Sequence, residues 1–164
     1  AFEQTLETVN GQVGLLEGEL DSLSDEEHER QVAKITSLVG IGAKTARALL
    51  CATGGLGTFE HDRQLAKFIG IVPSSHDSGS SVRYKGPITK KGNSELRACL
   101  YMAARSARRF NLACRELYER LRSRGKCHKQ AMVAVMNKLI RQVFAIVKND
   151  TVFDNRHYLK YINR

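Results

Sequence analysis

Residues 37–50 read SLVGIGAKTARALL, and the folding of that stretch settles the class of the whole chain. Apolar residues on either side recur at helical spacing, while Val39-Gly40-Ile41-Gly42 interrupts them with two glycines. Glycine supplies the positive φ angles of a tight turn and lets a backbone come close to a ligand. The segment therefore predicts a helix, a turn, and a second helix starting near Ala43. That second helix would aim its free amides, and the positive end of its dipole, at whatever lies in front of the turn. Lys44 and Thr45 in its first turn add a charge and a hydroxyl. A helix-hairpin-helix of this kind grips phosphates without reading a base sequence. A plain connection between two packed helices fits the same residues.

Downstream, Gly54-Gly55-Leu56-Gly57 ends the helix, and FEHDRQLAKFIGIVPSS (59–75) forms a short one ending at Gly70 and Pro73. Pro87 and the glycines at 79, 86 and 92 predict a loop or short hairpin over 74–93. A connection that long inside a compact domain is usually functional or disordered. From Ser94 the helical pattern resumes, with Leu96, Leu100, Ala103, Ala107 and Phe110 on one apolar face and Arg97, Arg105, Arg108 and Arg109 spread around the rest. A last helix carries Met132, Val135, Leu139, Val143 and Ile146 at spacings of three and four. These stripes are assigned to the core. Past Lys148 the tail reads as irregular. No segment reads as a substantial sheet and no internal repeat is present, so the expected class is mostly α.

The N-terminal end has its own pattern. Phe2, Leu6, Val9, Val13, Leu16, Leu20 and Leu23 step alternately by four and three, a heptad seam that predicts a coiled-coil-like helix. Gly11, Gly14 and Gly18 weaken it, each by up to about 1 kcal/mol relative to Ala. A partner helix, from a second protomer or elsewhere, is therefore expected to support it; an ordinary core helix would show the same spacing. Ser24 is a candidate N-cap for the helix that follows. Charge divides at the same place. Residues 1–30 hold nine Asp and Glu against Arg30 alone, a net of −8; the remainder holds 25 Lys and Arg against eight acids, a net of +17, and the two sum to +9. So basic a segment repels itself unless it meets a polyanion, and phosphate backbones are the usual partner.

A chain of 164 residues suits one domain with a real core. Its four cysteines (Cys51, Cys99, Cys114, Cys127) form no CxxC pair, which suits reduced thiols in a cytoplasm and argues against a zinc or disulfide framework. No apolar run approaches the roughly 18 residues that cross a bilayer, so no membrane is expected. No secretory segment is visible in the acidic N-terminus. The chain opens on Ala1 without an initiator methionine, from which a fragment or processed chain is expected.

The chemistry concentrates in HDSGSSVR, residues 76–83. A serine hydroxyl is a poor nucleophile at neutral pH and needs a base, a metal or strong stabilisation of the product charge. Arg83, Lys85, Lys90 and Lys91 could hold phosphate oxygens, the arginine in bidentate fashion. A convincing base and a carboxylate cluster for Mg²⁺ are missing: Asp77 is a single acid, and two-metal phosphoryl chemistry needs several. His76 is a base on paper, although a lone loop histidine is more often solvated. On the residues alone, this loop either carries a nucleophile or merely holds a polyanion.

The succession SLVGIGAKTARALL, RQLAKFIGIVPSS, DSGSSVR, KGPITKKGNSELRACLYMAA and YERLRSRGK resembles the C-terminal domain of the DEDD insertion-sequence transposases, which include the Piv-type DNA invertases and the bridge-RNA-guided recombinases. It runs in order from about Ile35 to Lys148. The resemblance implies that Ser78, followed by Gly79, is the nucleophile attacking a DNA phosphodiester, with Ser80 and Ser81 as near alternatives. It implies that the Mg²⁺-binding DEDD carboxylates belong to an N-terminal RuvC-like domain absent from this chain, so no metal or cofactor site is expected within it. Residues 1–30 would correspond to the acidic coiled-coil-like segment between the domains, with residues 1–23 joining homo-oligomers, and residues 31–164 to the helical C-terminal domain. Family members commonly carry a proline in the hairpin turn, where this chain has Val39.

The expected partners are DNA and, in part of the family, a guide RNA. The expected contacts are Gly40, Gly42, Lys44 and Thr45 at the turn, with Arg83, Lys85, Lys90, Lys91 and Arg97 in and beyond the loop. Alone, the chain is expected to bind nucleic acid and catalyse nothing. Two rivals of other classes remain: a non-catalytic helix-hairpin-helix DNA-binding module, and an oligomerisation unit working through its heptad helix.

Overall fold

Helices form wherever the apolar spacing called for them. A computed structural model of the chain describes residues 2–23, 26–78 and 82–156. In chain order the elements are α1 (Phe2–Leu23), α2 (Glu26–Thr36), α3 (Ala43–Thr53), α4 (Asp62–Ile69), β1 (Pro73–Ser78), β2 (Val82–Ile88), α5 (Ser94–Phe110), α6 (Leu112–Ser123) and α7 (His128–Lys148). The fold is mostly α. Contacts divide the chain into two compact units, Ala1–Arg30 and Gln31–Arg164.

In the first unit, α1 runs unbroken for 22 residues despite its glycines. Its apolar seam is open: Phe2 is 80% exposed, Val13 44% and Leu16 59%. The seam is therefore not the core of its own unit. Ser24 and the side chains of Leu20 and Leu23 lie outside the described residues.

In the second unit, α5, α6 and α7 pack on one another, α3 lies on α5, and α4 lies on both α5 and α7. The centre is α7, whose Met132, Val135, Leu139, Val143 and Ile146 are all buried. By length and composition α7 could cross a bilayer, but its apolar stripe is the middle of this core. Each such side chain contributes roughly 1.5–3 kcal/mol on burial. Of the face expected on α5, Leu96, Leu100, Ala103 and Ala107 are buried, whereas Phe110 is 63% exposed. Phe110 is the last residue of its helix and sits at the edge of the stripe, where Asn111 turns the chain into α6.

Asn111 is fully buried and joins three parts of the unit. Its Oδ1 accepts from the Cys114 amide at 3.2 Å, capping α6. Its Nδ2 donates to the Val39 carbonyl at 3.4 Å and to Gln142 Oε1 on α7 at 3.2 Å. Cys114 lies below it, and burial pushes its thiol up from 9.0 to about 12, with Lys138 pulling weakly the other way. The tail after Lys148 is irregular but anchored. Asp150 pairs with Lys34, the Phe153 amide donates to Ser37 Oγ at 3.0 Å, and Asn155 Oδ1 accepts from the Leu112 amide at 3.1 Å.

Candidate functional site

The long connection between α4 and α5 is an antiparallel hairpin. β1 and β2 pair as Ser75↔Lys85, His76↔Tyr84, Asp77↔Arg83 and Ser78↔Val82, with an irregularity between Pro73 and Ser75. Both strands are edges of a two-stranded sheet, so Pro87 within β2 does not interrupt an inner ladder. By register, Asp77, Arg83 and Lys85 fall in one row of the ladder, and His76, Ser78 and Tyr84 in the alternate row. Ser78 thus ends β1. Gly79, Ser80 and Ser81, and the side chains of Ser78, Arg83 and Lys85, lie outside the described residues.

The hairpin has a closely packed root. Gly70 ends α4 in the left-handed region at φ 81°, and its amide donates to the Ala66 and Lys67 carbonyls. The Thr89 amide donates to the Val72 carbonyl at 2.9 Å and the Lys90 amide to the Gly70 carbonyl at 3.2 Å, tying the outgoing strand to the incoming one. Ser74 Oγ donates to the Pro87 carbonyl at 2.9 Å. Asn137 of α7 donates to the Ile71 carbonyl at 3.2 Å, fastening the root to the central helix. Gly92 has no room for a side chain, because a Cβ there would collide with the Phe68 carbonyl. Asn93 then caps α5, accepting from the Glu95 and Leu96 amides at 3.0 Å each.

Arg97, expected at the nucleic acid, works inside this root. Its Nη1 donates to the Ile69 carbonyl and the Gly92 carbonyl, both at 3.0 Å. Lys90 and Lys91 are exposed beside it, Lys90 in the left-handed region at φ 53°. An open groove of about 500 Å³ flanks the root between α4 and α7, lined by Asp62, Arg63, Val72, Pro73, Asn137 and Arg141 among others. Arg141 Nε and Asp62 Oδ2 form an ion pair at 3.0 Å along it.

The turn before α3 separates the roles of its two glycines. Gly40 has φ 111°, and a Cβ there would lie 2.6 Å from the Ala107 Cβ. What glycine allows at position 40 is contact with α5. Gly42 has open space around it and is the N-cap of α3, with no side-chain capping bond and no acid in the helix's first turn. Lys44 is exposed there and Thr45 partly so. The start of α3 can thus receive an anion from solvent.

Among the described residues, no three His, Cys, Asp or Glu side chains converge as a metal site. Sequence reasoning used Gly92 only as a helix breaker and did not single out Asn111 or Asn137. An Asn just before an apolar helical run was the available signal for Asn111, as an N-cap; the close contact of Gly92 with the Phe68 carbonyl and the bond of Asn137 to the Ile71 carbonyl join positions distant in sequence and left no local signal.

Residues 32–119 match the Transposase IS116/IS110/IS902 family. The chain belongs to that family. It is similar to the pilin gene-inverting protein of Moraxella bovis, at 33% identity over 79% of this chain and 41% of that protein. It is similar to the insertion element IS110 43.6 kDa protein of Streptomyces coelicolor, at 29% identity over 95% of this chain and 38% of the relative. The transposase for insertion sequence element IS1111A of Coxiella burnetii is 31% identical over 86% of this chain and 39% of its own length. The chain thus spans about two fifths of these relatives. The family match covers α3 to α5 and the hairpin between them, together with the second half of α2 and most of α6.

Proposed function

We propose that this chain is the C-terminal part of a DNA transposase or site-specific recombinase, with Ser78 as the nucleophile for strand cleavage and joining. The observation that carries this reading is the mounting of Ser78. It ends a strand whose root is hydrogen-bonded into the helical core, in a chain of a transposase family. A nucleophile gains from being held on a fixed element rather than on a slack loop.

In the proposed step the Ser78 Oγ–P bond forms while one bond from phosphorus to a deoxyribose oxygen breaks. The hydroxyl proton passes to a base and the leaving sugar oxygen takes up a proton. The phosphoserine diester conserves the bond for rejoining by the reverse attack. Mg²⁺, held by the carboxylates of a RuvC-like domain outside this chain, would supply charge neutralisation at that phosphate. This chain supplies cations: Arg83 and Lys85 in the hairpin arm, and Lys90 and Lys91 at its root. Lys44, Thr45 and the open amides after Gly42 hold a backbone phosphate in the manner of a helix-hairpin-helix. A guide RNA could share these contacts, and the exposed seam of α1 supports homo-oligomer formation through residues 1–23.

The test uses a full-length protein carrying this chain, with Mg²⁺ and a DNA substrate nicked so that rejoining is blocked. Covalent protein–DNA adduct is expected on a denaturing gel, mapped by mass spectrometry to Ser78 and absent in Ser78→Ala. An adduct on Ser80 or Ser81 moves the nucleophile by two or three residues along the chain. Cleavage that persists in Ser78→Ala without any adduct would leave the chain as a non-catalytic DNA clamp.

A further inference from the structure

A long acid-free stretch of the chain lies away from the hairpin. From Arg120 to Asn149 there is no Asp or Glu, and the first ten of those residues hold Arg120, Arg122, Arg124, Lys126 and Lys129. All five are exposed, on the end of α6, the start of α7 and the turn between them. None forms an ion pair with a described carboxylate.

The turn that carries them is well defined. Gly125 is left-handed at φ 78°, its amide donates to the Arg122 carbonyl at 3.0 Å, and the Lys126 amide donates to the Leu121 carbonyl at 3.0 Å. This is the paired bonding of a Schellman motif. Arg122 Nη1 donates to the Lys126 carbonyl at 2.7 Å, bracing the turn from outside. Below it, Tyr118 and His128 Nδ1 share a hydrogen bond at 2.8 Å, and Arg108 of α5 lies over the Tyr118 ring at 5.2 Å. The cations are therefore mounted on a braced corner joining three helices. Arg120, Arg122 and Arg124 lie at the C-terminus of α6, where cations are favoured, whereas Lys126 and Lys129 stand against the local field at the N-terminus of α7. That first turn holds no acid and its N-cap, Cys127, makes no side-chain capping bond.

We infer that the α6–α7 corner is a second phosphate-backbone contact surface, binding duplex DNA apart from the hairpin. Two features select the occupant. The corner contains none of the exposed large apolar side chains of the chain, so it lacks the anchors that a protein interface or a bilayer surface requires. Its uncompensated positive charge complements a polyphosphate, whose affinity comes from counterion release and needs no base contacts. The choice of duplex DNA rests on the proposed function, which already brings a duplex to this chain.

The test is the salt dependence of binding of a labelled DNA duplex to this chain, followed by fluorescence anisotropy. Arg124→Ala/Lys126→Ala/Lys129→Ala is expected to reduce the slope of log K against log salt by about 2–3, with affinity falling roughly tenfold or more at moderate salt. The thermal midpoint should hold, because removing Lys126 and Lys129 from the N-terminus of α7 offsets the loss of Arg124 from the C-cap of α6. A falling midpoint with unaltered affinity would make the corner merely structural and overturn the inference. Unchanged slope and affinity would do the same, and if Arg83→Ala/Lys85→Ala alone then weakens binding, the hairpin reading survives while the corner fails. Failure of the unmodified chain to bind any duplex would bring down both. A loss seen on duplex RNA but not on DNA would overturn the choice of DNA.

Discussion

α1 and α7 carry apolar residues at the same three-and-four spacing and meet opposite fates. Phe2, Leu6, Val9, Val13 and Leu16 of α1 are exposed; Met132, Val135, Leu139, Val143 and Ile146 of α7 are buried. Spacing fixes which side of a helix is apolar, and it does not say what covers that side. The difference lies in the neighbours. α7 is enclosed by α4, α5 and α6, while α1 belongs to a unit of 30 residues with little else in it. An enclosed seam is where stability resides, and an uncovered one contributes little to it.

That contrast breaks most readily at Leu139, which is fully buried. Leu139→Ala should cost about 2–5 kcal/mol in denaturant unfolding; less than about 1 kcal/mol would mean that α7 is not the central helix. Gly40→Ala comes next, at about 2–4 kcal/mol, because the added methyl would meet Ala107 and the φ of 111° disfavours it. Pairing it with Ala107→Gly should recover part of that loss by relieving the contact. Cys114 sharpens the buried side of the comparison by pH. The native thiol keeps its proton to about 12, against 9.0 ordinarily. Its contribution is therefore complete below pH ~9 and is lost as pH rises from there toward ~12. The fall in unfolding free energy over that window should flatten in Cys114→Ala. Smallest is Leu6→Ala on α1, within about 0.5 kcal/mol in dilute solution. Its effect should appear in sedimentation instead, as a loss of self-association, and an unchanged sedimentation profile would remove the seam from any oligomer.

Much of the second unit was legible because helices announce themselves locally. The stop at Gly70, the start near Ala43 and the α7 stripe each rest on contacts within a few residues. The hairpin was harder. PSSHDS lacks the β-branched, alternating pattern of a half-buried strand, and VRYKGPI shows it only from Val82 to Lys85 before Gly86 and Pro87. The cation Arg97 was assigned outward because charge usually faces solvent. Its role depends on the two carbonyls of Ile69 and Gly92, which only the folded chain brings together. Gly40 looked like a ligand-approach glycine for the same reason, since its close neighbour Ala107 is 67 positions away.

The register of the hairpin also makes its length a matter of odd and even. Ser78 pairs with Val82, and the two strands leave a root that closely packed residues hold fixed. One residue inserted into β1 beyond Ser74 would shift every later position to the opposite row and exchange Ser78 with Asp77's side of the ladder. Two residues, matched by two in β2, would restore the row and carry Ser78 about 7 Å farther from the core. Without a bulge to absorb an extra residue, the arm keeps position 78 in the same row only when each strand lengthens in steps of two.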